Sequence, residues 1–205
     1  MAGRIRVGVT QRQDYLEDRR ERRDSLDAAW AELLWGAGFL PLPILNDVDD
    51  HDDYLQSLEL DALLLTGGGD VGQPPSRGRL ETAALSHAGA RGLPVLGVCR
   101  GMQVIVRECG GTLSTVSAHV GTRHLIDGPL SGMREVNSFH LLGVNPLGLP
   151  SQLEAVAFCS DGTIEAIRHR KMPWTAIMWH PERERPFLEV DIALIASALE
   201  GRGRL

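Results

Sequence analysis

Val95-Leu96-Gly97-Val98-Cys99-Arg100-Gly101-Met102-Gln103 is the stretch on which the fold turns. A short apolar strand, Pro94 to Val98, runs into Gly-x-Cys-x-Gly, and a helical pattern continues from Arg100 to Glu108 until Gly110 and Gly111 close it. Two glycines around a central residue permit a sharp strand-to-helix turn that lifts the middle side chain above the edge of a sheet. Cys99 then sits at a helix N-terminus, where the partial positive charge favours thiolate over thiol. The spacing predicts a nucleophile.

Outward from this stretch, short apolar runs punctuated by Gly and Pro alternate with amphipathic stretches, the pattern of β-α units around a parallel sheet. Strands are expected at Ile5 to Val9, Phe39 to Leu45, Asp61 to Leu65, Arg134 to Asn137, Glu154 to Phe158, Thr163 to Ile167 and Trp174 to Met178. Pro41 and Pro43 cannot donate to a ladder, which assigns the second of these to a sheet edge. Leu26, Ala29, Trp30, Leu33 and Leu34 recur at helical spacing after a charged loop, and a last helix covers Val190 to Leu199. Asp61 to Leu65 leads into Thr66-Gly67-Gly68-Gly69-Asp70, a turn where backbone can approach a ligand closely. The Asp-rich segment from Asp47 to Asp53 reads as a solvated loop capping a helix. The expected fold is α/β: one domain over residues 1–205, with a mostly parallel central sheet flanked by helices.

Composition narrows the function classes. The 205 residues carry a formal charge of −6 and only 5% aromatic residues, which argues against nucleic-acid or anionic-membrane partners. No apolar run reaches the roughly 18 residues of a membrane span, and the start MAGRIRVGVT lacks signal-peptide features, so a cytoplasmic location is expected. Cys99, Cys109 and Cys159 have no disulfide or zinc-knuckle spacing; Cys109 and Cys159 lack the elbow context and read as structural. No metal or cofactor is expected.

The partner of a nucleophile is found in Met178-Trp179-His180-Pro181-Glu182. A strand ends in a histidine, and a carboxylate two positions on can orient the imidazole or hold its tautomer. Cys99, His180 and Glu182 supply nucleophile, acid/base and orienter.

These motifs resemble the class I glutamine amidotransferases, whose members use a Gly-x-Cys-x-Gly elbow and a distal His-Pro-Glu. The resemblance covers nearly the whole chain and implies a flavodoxin-like architecture. It also implies that Gly68, Gly69 and the backbone N–H of Arg100 form an oxyanion hole, that Gln103 contacts a glutamyl group, and that Asn137-Ser138-Phe139-His140 lies along its α-amino and α-carboxylate groups. Cys99 followed by Arg100 resembles the gamma-glutamyl hydrolase branch rather than the ammonia-donating subunits. Within that branch, Gly8-Val9-Thr10-Gln11-Arg12, His119-Val120-Gly121-Thr122-Arg123-His124, Val136 to His140, Ile164-Glu165-Ala166-Ile167 and Trp179 to Glu184 are most similar to the gamma-glutamyl-CDP-amidate hydrolases of capsule phosphoramidate biosynthesis. The substrate implied is a small gamma-glutamyl amide or phosphoramidate. The alternatives are a gamma-glutamyl-gamma-aminobutyrate-type hydrolase or a glutaminase subunit feeding a synthase partner; a homodimer is compatible with either.

A diphosphate leaving group calls for guanidinium donors, because the planar fork takes phosphate oxygens in pairs. Arg12, next to the end of the first strand, is the candidate. Arg19 to Arg23 read instead as a solvated helix start paired with Glu17, Asp18, Glu21 and Asp24. His119, Arg123 and His124 read either as substrate-contacting groups or as exposed residues of a polar turn, with no catalytic role.

Overall fold

The computed structural model describes residues 3–202. In chain order the strands are β1 (Arg6–Thr10), β2 (Arg12–Leu16), β3 (Glu21–Ser25), β4 (Leu40–Ile44), β5 (Ala62–Leu65), β6 (Val95–Val98), β7 (Ser114–Thr115), β8 (Val120–Asp127), β9 (Arg134–Phe139), β10 (Leu142–Gly143), β11 (Leu153–Cys159), β12 (Ile164–His169) and β13 (Trp174–Ile177). The helices are α1 (Ala28–Gly36), α2 (His51–Ser57), α3 (Pro75–Arg91), α4 (Arg100–Glu108) and α5 (Glu189–Leu199). Among the described residues no helix is long and apolar enough to cross a membrane.

Nine strands form one sheet in the order β4-β1-β5-β6-β13-β12-β11-β8-β9 among the described residues. The first five are parallel and the last four antiparallel. The parallel strands are apolar on both faces because helices cover both. Leu64, Leu96 and Val98 pack with Trp30 and Leu34 of α1 and Ile195 of α5. Leu63, Leu65 and Val95 point the other way, onto Leu55 of α2, Leu80 and Ala84 of α3, and Met102 and Ile105 of α4. The expected edge strand lies at the edge, with Pro41 opposite Val7 and Pro43 opposite Val9 in β1. Asp50 caps α2 by accepting from the Asp53 N–H at 3.0 Å, as the Asp-rich loop suggested.

Two expectations are corrected. The charged segment after β1 is a β-hairpin, β2 against β3, rather than a loop leading into a helix start. Its pairs are polar: Ser25 donates to Asp14 at 2.5 Å and Gln13 donates to Asp24 at 3.1 Å. Asp24 also accepts from the side-chain amide of Asn46 at 2.8 Å, which ties the hairpin to the end of β4. Arg22 pairs with Asp47 at 3.3 Å and Arg23 with Glu21 at 2.6 Å, so these arginines are surface ion pairs. The second correction concerns the segment containing Arg123 and His124, which is the eight-residue strand β8 paired to β9 and not a turn.

Parallel strands deliver their C-terminal ends to one rim, where ligands of open α/β sheets bind. Gln11, Thr66, Cys99 and His180 all follow strands at that rim. The junction of β5, β6 and α4 is too close for side chains: a Cβ on Gly101 would stand 2.8 Å from Leu65 Cβ and 2.9 Å from Leu65 C. One on Gly97 would meet Gly101 C at 2.8 Å. Gly101→Ala should therefore force the helix off the sheet and lower unfolding free energy by about 1–3 kcal/mol, the usual cost of overpacking a rigid site, as read by urea denaturation. Gly36→Ala, with open space around it, serves as the near-neutral control.

Candidate active site

Cys99 is the residue between β6 and α4, held at φ 50°, ψ −102°. Positive φ is costly for a side-chain-bearing residue and persists only where its surroundings impose it. Here the Cys99 N–H is fixed to Ile177 O at 2.8 Å and its carbonyl receives the Gln103 N–H at 3.2 Å. The thiol is thereby placed over the first turn of α4.

His180 follows β13 and is 2% exposed. Its Nδ1 lies 2.7 Å from Glu182 Oε1. The two are joined by a 3-10 turn, Pro181–Arg183, not by the extended chain that the spacing suggested. Nδ1 faces an acceptor-only carboxylate and so carries a proton; Nε2 is buried without a hydrogen-bond partner. Burial disfavours the imidazolium, but the Cys99 sulphur and the Glu182 carboxylate outweigh it and raise the pKa to about 9. The His180 imidazolium is thus favoured at neutral pH. A side chain on Gly67 would meet His180 Cε1 at 2.6 Å and Cys99 Cβ at 3.6 Å, so the absence of one lets the two groups face each other.

The Gly67 to Gly69 turn is held from behind. Arg77 of α3 donates to the carbonyls of Thr66 (2.8 Å), Gly67 (3.1 Å) and Gly68 (2.5 Å). Arg100 donates to the carbonyls of Asp70 and Gln73. Glu81, fully buried, accepts from Arg77 at 2.8 Å and from Arg100 at 2.8 Å. Because the peptide unit is planar and trans, each carbonyl turned toward Arg77 turns the next N–H the opposite way. The N–H groups of Gly67, Gly68 and Gly69 find no protein acceptor among the described residues. Arg100, first residue of α4, likewise has an N–H without an intrahelical partner.

Two cavities meet at His180. One, of about 190 Å³, has Cys99, Gly68, Gly69, Gln103, Phe139, His140 and Arg183 in its walls. The other, of about 320 Å³, lies between the β2–β3 hairpin and the Gly67–Gly68 turn and includes Arg12, Asp14, Trp30, Glu182 and Arg183. Gly68, His180 and Arg183 belong to both. Of the residues singled out from sequence, Cys99, His180, Gly68, Gly69, Gln103, Phe139 and His140 share the first cavity, and Arg12 stands in the second.

Asn137 and Ser138 do not enter the Cys99 cavity. Asn137 clamps the His180 backbone, accepting from its N–H at 2.9 Å and donating to its carbonyl at 2.8 Å. Ser138 is fully buried and donates to His119 O at 2.7 Å. Both hold the site, and Asn137 also lines a neighbouring cavity of about 340 Å³ with Phe139 and Arg183. Gln103 presents its carboxamide to the cavity while donating to Leu142 O at 2.8 Å. Arg183 was not recognised from sequence; its guanidinium lies 4.2 Å over the Phe139 ring and reaches both cavities. Its place one residue after His-Pro-Glu was the available signal. Arg77 and Glu81 were missed too, and nothing local marks them.

The glutamine amidotransferase class I family model matches residues 42–185. The gamma-glutamyl-CDP-amidate hydrolase of Campylobacter jejuni is 28% identical over 91% of this chain and 94% of its own length. A glutamine amidotransferase-like protein of Lactococcus lactis is 31% identical over 68% of this chain and 73% of its own. Among solved structures, a GMP synthase subunit from Thermoplasma acidophilum superposes with a TM-score of 0.71 over 98% of this chain and 99% of that one, at 19% identity, which shows the shared fold. With most of its length matched by the family model and its Gly-x-Cys-x-Gly elbow on a sheet of this type, the chain belongs to the class I glutamine amidotransferase family.

Proposed function

We propose that the protein is a cysteine hydrolase that cleaves a gamma-glutamyl C–N bond through a glutamyl-thioester. The observation that carries this reading is Cys99, at positive φ on the N-terminus of α4, facing His180 across the side-chain-free Gly67. The thiolate attacks the side-chain carbonyl carbon of the glutamyl group. The oxyanion accepts from the Arg100 N–H and from Gly68 or Gly69, whose N–H groups have no protein acceptor among the described residues. His180 then passes its Nε2 proton to the departing nitrogen and afterwards takes one from the water that resolves the thioester, releasing glutamate.

The leaving group we propose is cytidine diphosphoramidate, as in capsule modification. Two features support it: the similarity to the Campylobacter jejuni enzyme along nearly the full length of both chains, and the second cavity with Arg12 and Arg183 beyond His180. The glutamyl group fits the Cys99 cavity, the scissile bond crosses at His180, and the diphosphate extends to the two guanidiniums. Glutaminase action for a synthase partner is the alternative; efficient turnover of a conjugate by the isolated chain excludes it.

Cys99→Ala should fold as the parent does and lose glutamate release altogether, while iodoacetamide labelling of the parent should fall mainly on Cys99; an active Cys99→Ala chain overturns the reading.

The pH dependence has a definite sign. The folded pKa of His180, about 9, lies above its ordinary value of 6.5. Its contribution to stability is thus complete below the ordinary value and disappears as pH rises through about 9. Activity should fall over the same alkaline range, as the imidazolium needed by the leaving nitrogen deprotonates. Glu182→Gln removes one of the two groups that raise this pKa, so the alkaline limb of kcat/KM should move to lower pH. A limb that stays in place contradicts the role given to Glu182.

For the leaving group, kcat/KM is compared on gamma-glutamyl-CDP-amidate, gamma-glutamyl-aminobutyrate and glutamine. Arg12→Ala and Arg183→Ala should each cost about 10–100-fold on the diphosphate conjugate, in line with about 1.5–3 kcal/mol for a hydrogen bond to a charged group, and far less on the other two. Equal losses on all three would leave the diphosphate assignment without support.

A further inference from the structure

The antiparallel half of the sheet buries a cluster of chemistry that the mechanism does not use. Glu165 on β12 is fully buried, and both its carboxylate oxygens lack hydrogen-bond partners. Three histidines surround it: His119 Nδ1 at 3.4 Å and His140 Nε2 at 3.5 Å from Oε1, and His124 Nε2 at 3.4 Å from Oε2. These three ring nitrogens are buried and unpartnered as well. A buried carboxylate whose histidine neighbours all stand at 3.4–3.5 Å is expensive in a protein interior and demands an explanation.

The tautomers sharpen it. His119 Nε2 lies 2.9 Å from Asp161 Oδ2, and His140 Nδ1 lies 3.2 Å from Leu142 O. A carboxylate and a carbonyl only accept, so these two nitrogens donate, and in the neutral rings His119 Nδ1 and His140 Nε2 are bare lone pairs. Both face the same oxygen of Glu165. Lone pairs do not bind one another, so a cation, either a proton or a metal ion, joins them to the carboxylate.

The spacing says which cation. A well-formed bond from a protonated imidazole to a carboxylate closes to about 2.7–2.9 Å, and 3.4–3.5 Å leaves it long. For nitrogen and oxygen ligands about 2.0–2.1 Å from a tetrahedral zinc ion, the edge between two ligands is about 3.3–3.4 Å. His119, His140 and Glu165 offer ligand atoms all within 4.8 Å of one another. The outward nitrogens of His119 and His140 are held by a carboxylate and a backbone carbonyl, the usual partners of metal-ligating histidines.

We propose that His119 Nδ1, His140 Nε2 and Glu165 Oε1 form a three-ligand site for a zinc-class divalent cation. The sequence alone predicts no metal, because the three residues lie beside β8, after β9 and on β12, with no ligand spacing to recognise. The ion would have three protein ligands and take water in its fourth position. It would stiffen the wall of the Cys99 cavity, since His140 lines that cavity and Leu142 O accepts from both His140 and Gln103.

The test uses the full chain with Cys99→Ser, which removes the competing thiol, stripped with a chelator and reloaded with zinc or cobalt. About one zinc per chain should survive desalting, thermal unfolding should shift upward, and cobalt should give the strong visible bands of tetrahedral coordination. Glu165→Gln should lose the metal. Should that variant fail to fold, Asp161→Asn at the surface, which removes only the partner of His119, should weaken zinc binding about 10–100-fold without altering the fold. Absence of retained zinc, or a cobalt spectrum of the weak octahedral kind, overturns the proposal and leaves a cluster that binds only protons.

Discussion

Two arginines and one glutamate behind the glycine turn are the constraint on which the candidate site depends. Glu81 sits between Arg77 and Arg100, all three at most 1% exposed. Burial lowers the Arg77 pKa and Glu81 opposes it, leaving a value of about 10, so the guanidinium stays charged at neutral pH. A buried ion triad is a poor source of net stability, because desolvation consumes most of the Coulomb gain. What it supplies is direction. Five carbonyls between Thr66 and Gln73 accept from the two guanidiniums, and the planarity of the peptide turns the N–H groups that follow them away from those guanidiniums. Removing Glu81 would leave two like charges buried side by side and the turn without its anchor.

The same device explains why Gly68 and Gly69 are glycines. Their φ angles are 90° and 73°, and only a chain free to take such values can present consecutive N–H groups on one side while its carbonyls point to the other. Across the cavity Cys99 takes φ 50° without being glycine. That strain is tolerated because β6, β13 and α4 over-determine the turn: Gly97 and Gly101 allow the close approach, and Ile177 O holds the Cys99 N–H. One half of the site is set by buried charge and the other half by close packing.

Which parts of this were legible in the sequence follows from how local each signal is. β6, α4 and the elbow are written in consecutive residues, as are the apolar runs of β5 and β13, so strand, turn and helix come within about a residue of the observed bounds. The β2–β3 hairpin has no apolar alternation; its register comes from Ser25 and Gln13 pairing with acids and from Asn46, far along the chain. β8 alternates weakly because it pairs with β9 at the sheet edge and stays half exposed, and so it reads as a turn. Asn137 was recognisable as a site residue, yet its actual partner is the His180 backbone, a contact across 43 residues that no local pattern announces. Arg77 and Glu81 lie in a helix whose spacing describes an i, i+4 surface pair; only the fold shows them to be buried.

Arg100 is the residue whose meaning changes most. As the neighbour of the nucleophile it resembled a mark of the hydrolase branch, which would make its side chain part of the choice between water and a synthase partner. Its guanidinium instead points away from Cys99, into Glu81 and the carbonyls of Asp70 and Gln73, and it contributes to the cavity through its backbone N–H alone. A side chain so placed cannot discriminate between acyl acceptors or leaving groups. Discrimination has to come from groups that reach beyond His180, and those are Arg12, half exposed and held by Asp14 at 2.8 Å, and Arg183, stacked over Phe139 where the two cavities meet. Under the proposed gamma-glutamyl hydrolysis, specificity resides with the hairpin and the turn after His-Pro-Glu, while the elbow and its buried charges serve the step common to any such substrate.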